Sequence, residues 1–265
     1  MELCDTVIGK VTRKQYYFSM PHSLLLLALS STIVTAGFVG FVIFLFSFKK
    51  SSRFHSRSLR NWGLGFFLLT WIRIPTTLVL AGIPISSTVE GMAPFFIVAS
   101  IALVAGHMLI FRGTVQLLTT SKFWINIFPL LIFVLLNALI SGLFLVFHTS
   151  VTISLYFTTG FIFLNVLFLI IANIKLLRSA MTQKEKIGFW SLIVGWIAFF
   201  VSHNYLTQVL SNYPIDFWFF ALTAAPTVYI YAGFTVAHLL LLFGFILSHT
   251  HDGLIRREAL KSLRE

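Results

Sequence analysis

Residues 24–48 of the chain read LLLLALSSTIVTAGFVGFVIFLFSF, an unbroken stretch without a charged side chain. A helix needs about 20 predominantly apolar residues to cross the hydrocarbon core of a bilayer, so this stretch predicts a transmembrane helix. Similar stretches recur along the chain. We predict seven spans at about residues 22–48, 61–83, 93–118, 124–147, 151–177, 187–210 and 217–248.

The composition supports a protein that lies almost wholly in a membrane. Of the 265 residues, 58% are hydrophobic and only 10% are charged, whereas soluble domains carry about 25% charged residues. We therefore predict an all-α, polytopic membrane protein with the lipid bilayer as its main partner. The helical domain covers residues 22–248, between an extracytoplasmic segment at 1–21 and a basic amphipathic tail at 249–265.

The basic residues predict how the chain is oriented. Lys and Arg are concentrated in the segments 49–60, 112–122 and 175–186 and in the tail, and the exceptions are Lys10, Arg13, Lys14 and Arg73. Because positive residues stay on the cytoplasmic side, we predict an outside N-terminus and a cytoplasmic C-terminus. The net charge of +11 then meets anionic lipid head groups rather than nucleic acid. We expect the tail to lie on the membrane surface or to bind a protein partner.

The two ends of the helical domain resemble each other. The matched features are Ala93-Pro94 with Ala225-Pro226, Trp71 with Trp196, His107 with His238, and His22 with His148. The order of the features is the same in both sets, which predicts an internal duplication. We interpret residues 22–118 and 151–248 as two parallel three-helix repeats joined by a linker helix at 124–147. Such repeats place a substrate site near the bilayer midplane, between the halves.

This three-plus-one-plus-three plan with an outside N-terminus is similar to that of the SWEET sugar transporters and the PQ-loop proteins. The resemblance covers the whole helical region and is one of topology, since the sequence contains no Pro-Gln dipeptide. In SWEETs, polar residues on the third and seventh helices line the pocket. His107 and His238 match those positions, so the resemblance implies a transporter with both histidines in its binding site.

Arg73 is the most unusual residue of the predicted spans. None of the eight acidic residues falls within a span, so no carboxylate of the chain neutralises a guanidinium at this depth. Thr70 and Thr77 share its helix face. We expect these three residues to contact a small anionic ligand, while backbone carbonyls, water, an anionic lipid or a partner protein are the alternatives.

Two further pairs of residues are predicted to line the same midplane pocket. His107 and His238 lie at corresponding depths on the third and seventh spans, and Tyr231 and Thr235 share the face of His238. Trp71 and Trp196 are expected to stack on a ligand from two sides, with core packing as the alternative. By contrast, Asn137, Asn165 and Asn173 are expected to join helices to one another.

Three functions are compatible with this pattern. The first is a transporter or carrier of a small, anionic solute, and the second is a seven-helix receptor or sensor that signals through a partner protein. The third is an electron-transfer protein in which His107 and His238 ligate haem b, with Gly106 and Gly233 giving the macrocycle room. We expect no other cofactor, no metal ion and no catalytic residue, because the chain lacks phosphate-binding and dinucleotide-binding motifs and any pair of acids within its spans.

Overall fold

The computed structural model describes residues 22–48, 53–71, 89–119, 121–146, 151–178, 180, 182–211 and 225–248. Within these ranges the chain forms seven α-helices: α1 His22–Phe46, α2 Arg53–Trp71, α3 Val89–Leu118, α4 Phe128–Val146, α5 Val151–Leu177, α6 Gln183–Ser211 and α7 Ala225–Ser248. A π-helix at Phe123–Ile127 leads directly into α4. The predicted N-terminal segment 1–21 and the predicted tail 249–265 lie outside the described residues.

Six of the described helices are long and apolar enough to cross a membrane. The remaining helix, α2, begins at Arg53, well before the predicted start at residue 61, and is described only as far as Trp71. Its first turns carry Arg53, Arg57 and Arg60, which lower its hydropathy. The prediction of an all-helical, multi-pass membrane protein is therefore confirmed.

The outer surface of the bundle is apolar, as a lipid environment requires. On α6, Ile187, Trp190, Val194, Ile197 and Val201 are exposed at intervals of three or four residues, so they form one stripe along the helix. Water would not tolerate so large an apolar surface on a monomer. A bilayer covers such a surface at no cost, because its hydrocarbon is equally apolar.

The last helix begins later than its predicted span. The helix α7 starts at Ala225, and residues 217–224 lie outside the described part of the chain. Pro226 follows directly, in the first turn, where a backbone N–H has no partner within the helix and proline is therefore tolerated. The matching proline of the first half, Pro94, lies further inside its helix, since α3 begins at Val89.

The helices pack as two groups of three with one helix beside them. The helix α2 packs against both α1 and α3, and α6 packs against both α5 and α7. The helix α7 also packs along α1, whereas α3 makes a lighter contact with α5. The helix α4 rests mainly on α3, and only 17% of its spanning segment is buried.

Glycines bring neighbouring helices into backbone contact. A Cβ atom on Gly106 of α3 would lie 2.9 Å from the Gly65 carbonyl oxygen of α2, and one on Gly244 of α7 would lie 2.8 Å from the Gly188 carbonyl oxygen of α6. Small residues permit such close approach of helices in membranes, where packing replaces the hydrophobic effect. Hydroxyl groups bond across the same interfaces, since Ser58 Oγ donates to the Gly113 carbonyl oxygen at 2.6 Å.

Candidate ligand site in the helical bundle

The two histidines predicted to line a pocket are both buried in the bundle. The exposed fraction is 0% for His107 on α3 and 2% for His238 on α7. Their rings contact the same aromatic side chain, because the Phe199 ring centroid on α6 lies 5.6 Å from that of His107 and 5.8 Å from that of His238. Helices from both predicted halves thus bring the pair to one aromatic cluster.

Trp196 lies in the same cluster and is fully buried. Its ring stacks on Phe66 of α2 with centroids 5.9 Å apart and an angle of 21° between the planes. Its Nε1 has no hydrogen-bond partner among the described residues. His238 also contacts Phe66, at 6.3 Å. The described core between α2, α3, α6 and α7 is therefore filled by aromatic rings in this conformation, instead of the hydrated pocket that the sequence predicts.

The polar side chain closest to His107 comes from α5. Asn165 Nδ2 lies 2.7 Å from His107 Nδ1, and Asn165 is itself buried, with 4% of its surface exposed. Neither His107 Nε2 nor Asn165 Oδ1 has a hydrogen-bond partner among the described residues. The His107–Asn165 pair therefore joins the two predicted halves and leaves two buried polar atoms unsatisfied.

The hydrogen-bonding capacity of this pair does not depend on how its protons are assigned. If Asn165 Nδ2 donates to His107 Nδ1, the imidazole proton is on Nε2, so a donor remains on His107 and an acceptor remains on Asn165. If the amide is flipped, Asn165 Oδ1 accepts from Nδ1–H, and the donor and acceptor exchange places. Either way, the pair offers one free donor and one free acceptor to a third group.

The hydroxyl-bearing residues of the predicted site mostly bond within the helices. Thr70 is buried, and its hydroxyl donates to the Phe67 carbonyl oxygen of its own helix at 2.6 Å. Thr235 lies 3.1 Å from the Ser31 hydroxyl of α1 and also donates to the Tyr231 carbonyl oxygen at 3.1 Å. Tyr231 is buried, with 1% exposed. Thr235 thus ties α7 to α1, while Thr70 faces the first half alone.

The rest of the predicted site cannot be placed. Arg73 and Thr77 lie outside the described residues, and so does the side chain of Trp71. Their contact with an anionic ligand therefore stays a prediction.

A cleft of about 550 Å³ opens between α3, α4 and α5. Most of its lining is apolar and aromatic, and its polar side chains are Thr119, Asn165 and Lys175. Pockets of this size accommodate small ligands. None of the predicted site residues with described side chains lines this cleft. Asn165 does, and it connects the cleft to His107 behind it.

Asn165 is the residue that sequence reasoning assigned to helix packing alone. It does join helices, as expected, but its partner is His107 rather than a backbone group. Asn173, one helix face further on, instead donates to the Leu169 carbonyl oxygen of its own helix at 2.7 Å. A single asparagine in the middle of an apolar span was the available signal, and the sequence could not distinguish these two cases.

Among the described residues, no three histidine, cysteine, aspartate or glutamate side chains are grouped closely enough to hold a metal ion. Gly106 and Gly233, which were expected to give a haem macrocycle room, lie against Gly65 of α2 and Ser202 of α6. Ligation of haem by His107 and His238 remains a prediction. No family model, no curated protein and no solved structure matches the chain.

Proposed function

We propose that this membrane protein is a carrier for a small solute, built from two parallel three-helix halves that α4 connects. In this proposal the solute binds between the halves, where its polar group contacts the His107–Asn165 pair. The observation that carries the proposal is this buried pair with a free donor and a free acceptor. The two halves would move against each other to expose the site alternately on each side of the membrane.

Matching contacts in the two groups of helices support the repeat. A Cβ atom on Gly65 would lie 3.2 Å from the Ile110 backbone nitrogen, and one on Gly195 would lie 3.1 Å from the Leu241 backbone nitrogen. Gly195 follows Gly65 by 130 residues, and Leu241 follows Ile110 by 131. The contact between α2 and α3 thus has a counterpart between α6 and α7.

A second pair of contacts has the same spacing. A Cβ atom on Gly113 would lie 2.8 Å from the Ser58 carbonyl oxygen, and one on Gly244 would lie 2.8 Å from the Gly188 carbonyl oxygen. Gly244 follows Gly113 by 131 residues, and Gly188 follows Ser58 by 130. Two unrelated helix pairs have no reason to reproduce two contacts in one register, so a common origin of the halves accounts for them best.

This register changes which residues correspond. It pairs Trp196 with Phe66, 130 residues earlier, rather than with Trp71. These two side chains stack on each other, as equivalent residues on either side of a two-fold axis would. It keeps the match of His107 with His238. The Phe66–Trp196 stack therefore marks the proposed axis between the halves.

The chemistry of the His107–Asn165 pair limits the group that the solute presents. Each buried polar atom without a partner costs about 1–3 kcal/mol, so a ligand that satisfies both atoms gains that amount. A hydroxyl group both donates and accepts, and it therefore fits the pair. Arg73, for which the chain offers no neutralising acid within the predicted spans, would hold an anionic group. A small hydroxy acid carries both.

Counterflow in proteoliposomes tests this function. The purified protein would be loaded with unlabelled small hydroxy acids, amino acids, sugars or inorganic anions, and the uptake of the same labelled class would be measured. We expect the hydroxy acids to accumulate, and we expect Asn165→Leu to reduce their accumulation about tenfold or more, since a lost hydrogen bond to a ligand costs at least about 1.4 kcal/mol when a charge takes part.

Asn173→Leu is the matched control, because this buried asparagine lies on the same helix and bonds only within it. Its accumulation should equal that of the unaltered protein when both are equally folded. Accumulation by none of the four classes, or equal accumulation by the Asn165 variant, contradicts the proposal. Binding of a class without its accumulation points instead to a receptor.

The proposed orientation has a direct test in the single cysteine, Cys4. With the N-terminus outside, a membrane-impermeant maleimide should label Cys4 in sealed vesicles whose outer face corresponds to the outside. Inverted vesicles should be labelled only after the membrane is permeabilised. The opposite pattern would show that the basic segments lie outside and that the positive-inside prediction fails for this chain.

A further inference from the structure

The cleft between α3, α4 and α5 extends along the helices from a membrane surface towards the bundle centre. Lys175 and Asn165 both line it and are ten residues apart on α5, which corresponds to about 15 Å of helix rise. On α3 it extends from Thr119 to Met108, a similar length. The cleft is therefore a channel about half a bilayer deep, with Lys175 at the shallow end and Asn165 at the deep end.

The walls of this channel are suited to a hydrocarbon chain. Phe111, Val115, Leu118, Ile132 and Phe168 line its length, and its rim is open to the bilayer. Leu164 on this rim is 65% exposed and Trp124 is 45% exposed. Water in such a channel would find few polar partners, whereas a lipid chain from the surrounding bilayer would fill it with favourable contacts.

The shallow end of the channel has a positive charge. Lys175 is exposed there, and the α5 terminus continues to Arg178, while Lys122 precedes the π-helix on the same side. Glu185 is the one acid of this side within the described residues. It is buried and accepts a hydrogen bond from the Thr182 backbone N–H at 3.4 Å, as in a helix N-terminal capping box. It is therefore engaged at the start of α6.

The shallow end also has the residues that commonly mark a membrane surface. Trp124 lies in the first turn of the segment that leads into α4, and tryptophan is enriched at the level of the lipid head groups. Lysine near the surface attracts anionic head groups, at about 1 kcal/mol for each residue. Charge, depth and apolar walls thus identify one occupant that satisfies all three.

We propose that the channel is a specific site for one anionic phospholipid, with an acyl chain between α3, α4 and α5 and the phosphate of the head group at Lys175. This site is separate from the solute site of the proposed function and does not depend on it. The lipid chain would brace α4, the helix with the fewest contacts inside the protein, against the rest of the bundle. It would also close the lateral opening towards Asn165.

Lipid binding can be measured by native mass spectrometry of the full-length protein in detergent micelles. The probes are phosphatidylglycerol and phosphatidylcholine with the same acyl chains, titrated separately. We expect the unaltered protein to bind phosphatidylglycerol about fivefold more tightly, which is the factor that corresponds to one favourable charge at the membrane surface. Lys175→Gln should remove this preference and leave phosphatidylcholine binding unchanged.

Two further variants separate the head-group site from the chain site. Leu164→Trp narrows the rim and should weaken the binding of both lipids, while Lys184→Gln removes an exposed lysine that does not line the channel and should preserve the fivefold preference. Equal binding of the two lipids by the unaltered protein would overturn the proposal. A preference that survives in Lys175→Gln, or is lost equally in Lys184→Gln, would also overturn it, since either result means only a diffuse attraction to the basic surface.

Discussion

Gly244→Ala is expected to destabilise the protein by about 1–3 kcal/mol, the usual cost of forcing an extra methyl group into a packed core. The new Cβ would lie 2.7 Å from the Leu192 backbone nitrogen and 2.8 Å from the Gly188 carbonyl oxygen. Both neighbours are backbone atoms, so no side chain can move aside, and α6 and α7 would have to separate. Thermal unfolding in detergent should show a melting temperature lower by several degrees.

Gly160→Ala is the control for this experiment. Gly160 lies in the helix α5, and a Cβ atom there would have no other atom within 4 Å. Because alanine favours a helix by about 0.5–1 kcal/mol over glycine, this variant should be as stable as the unaltered protein or slightly more stable. If both variants lose equal stability, the close contact of α6 with α7 is not what Gly244 provides.

The His107–Asn165 pair leads to the second large effect, which is a separation of stability from function. Asn165→Leu alone removes the partner of His107 Nδ1, and His107→Leu alone removes the partner of Asn165 Nδ2. Each single change should cost about 1–3 kcal/mol, because it leaves a further buried polar atom unsatisfied. The double variant removes all of these polar groups together, so we expect it to be at least as stable as the unaltered protein.

The comparison requires melting temperatures of the four solute-free proteins under one set of conditions. A coupling of about 0.5–3 kcal/mol between the two sites is typical of residues in direct contact. The double variant should nevertheless show no solute accumulation, because the free donor and acceptor are gone. Strictly additive losses of stability would mean that the two side chains do not depend on each other, and the proposed solute anchor would lose its basis.

Much of the helical framework could be predicted because it depends on composition. Long uncharged stretches such as residues 24–48 leave a membrane helix as the only conformation that satisfies their backbone groups in lipid. Helix ends were less predictable, as α2 shows: its first turns carry arginines that reduce hydropathy without interrupting the helix. The hydropathy pattern detects the apolar part of a helix and misses its continuation into the head-group region.

The candidate site was predictable only in part, because side-chain partners depend on how the helices are rotated. The burial of His107 and His238 agrees with their position in the middle of apolar spans. Their enclosure by Phe199 does not follow from any pattern, since phenylalanine occurs 30 times in this chain. The role of Asn165 was equally hidden, because its distance of 58 residues from His107 gives no periodic signal.

The stack of Phe66 on Trp196 has a consequence for how the two helical groups can move. Attraction between ring faces is not directional in the way a hydrogen bond is, and it persists for centroid distances of about 4.5–7 Å. The observed separation of 5.9 Å lies well inside that interval. Sideways sliding by about 1 Å would therefore break no bond at the middle of the bundle, and this greasy seam would act as a bearing with little friction rather than as a latch.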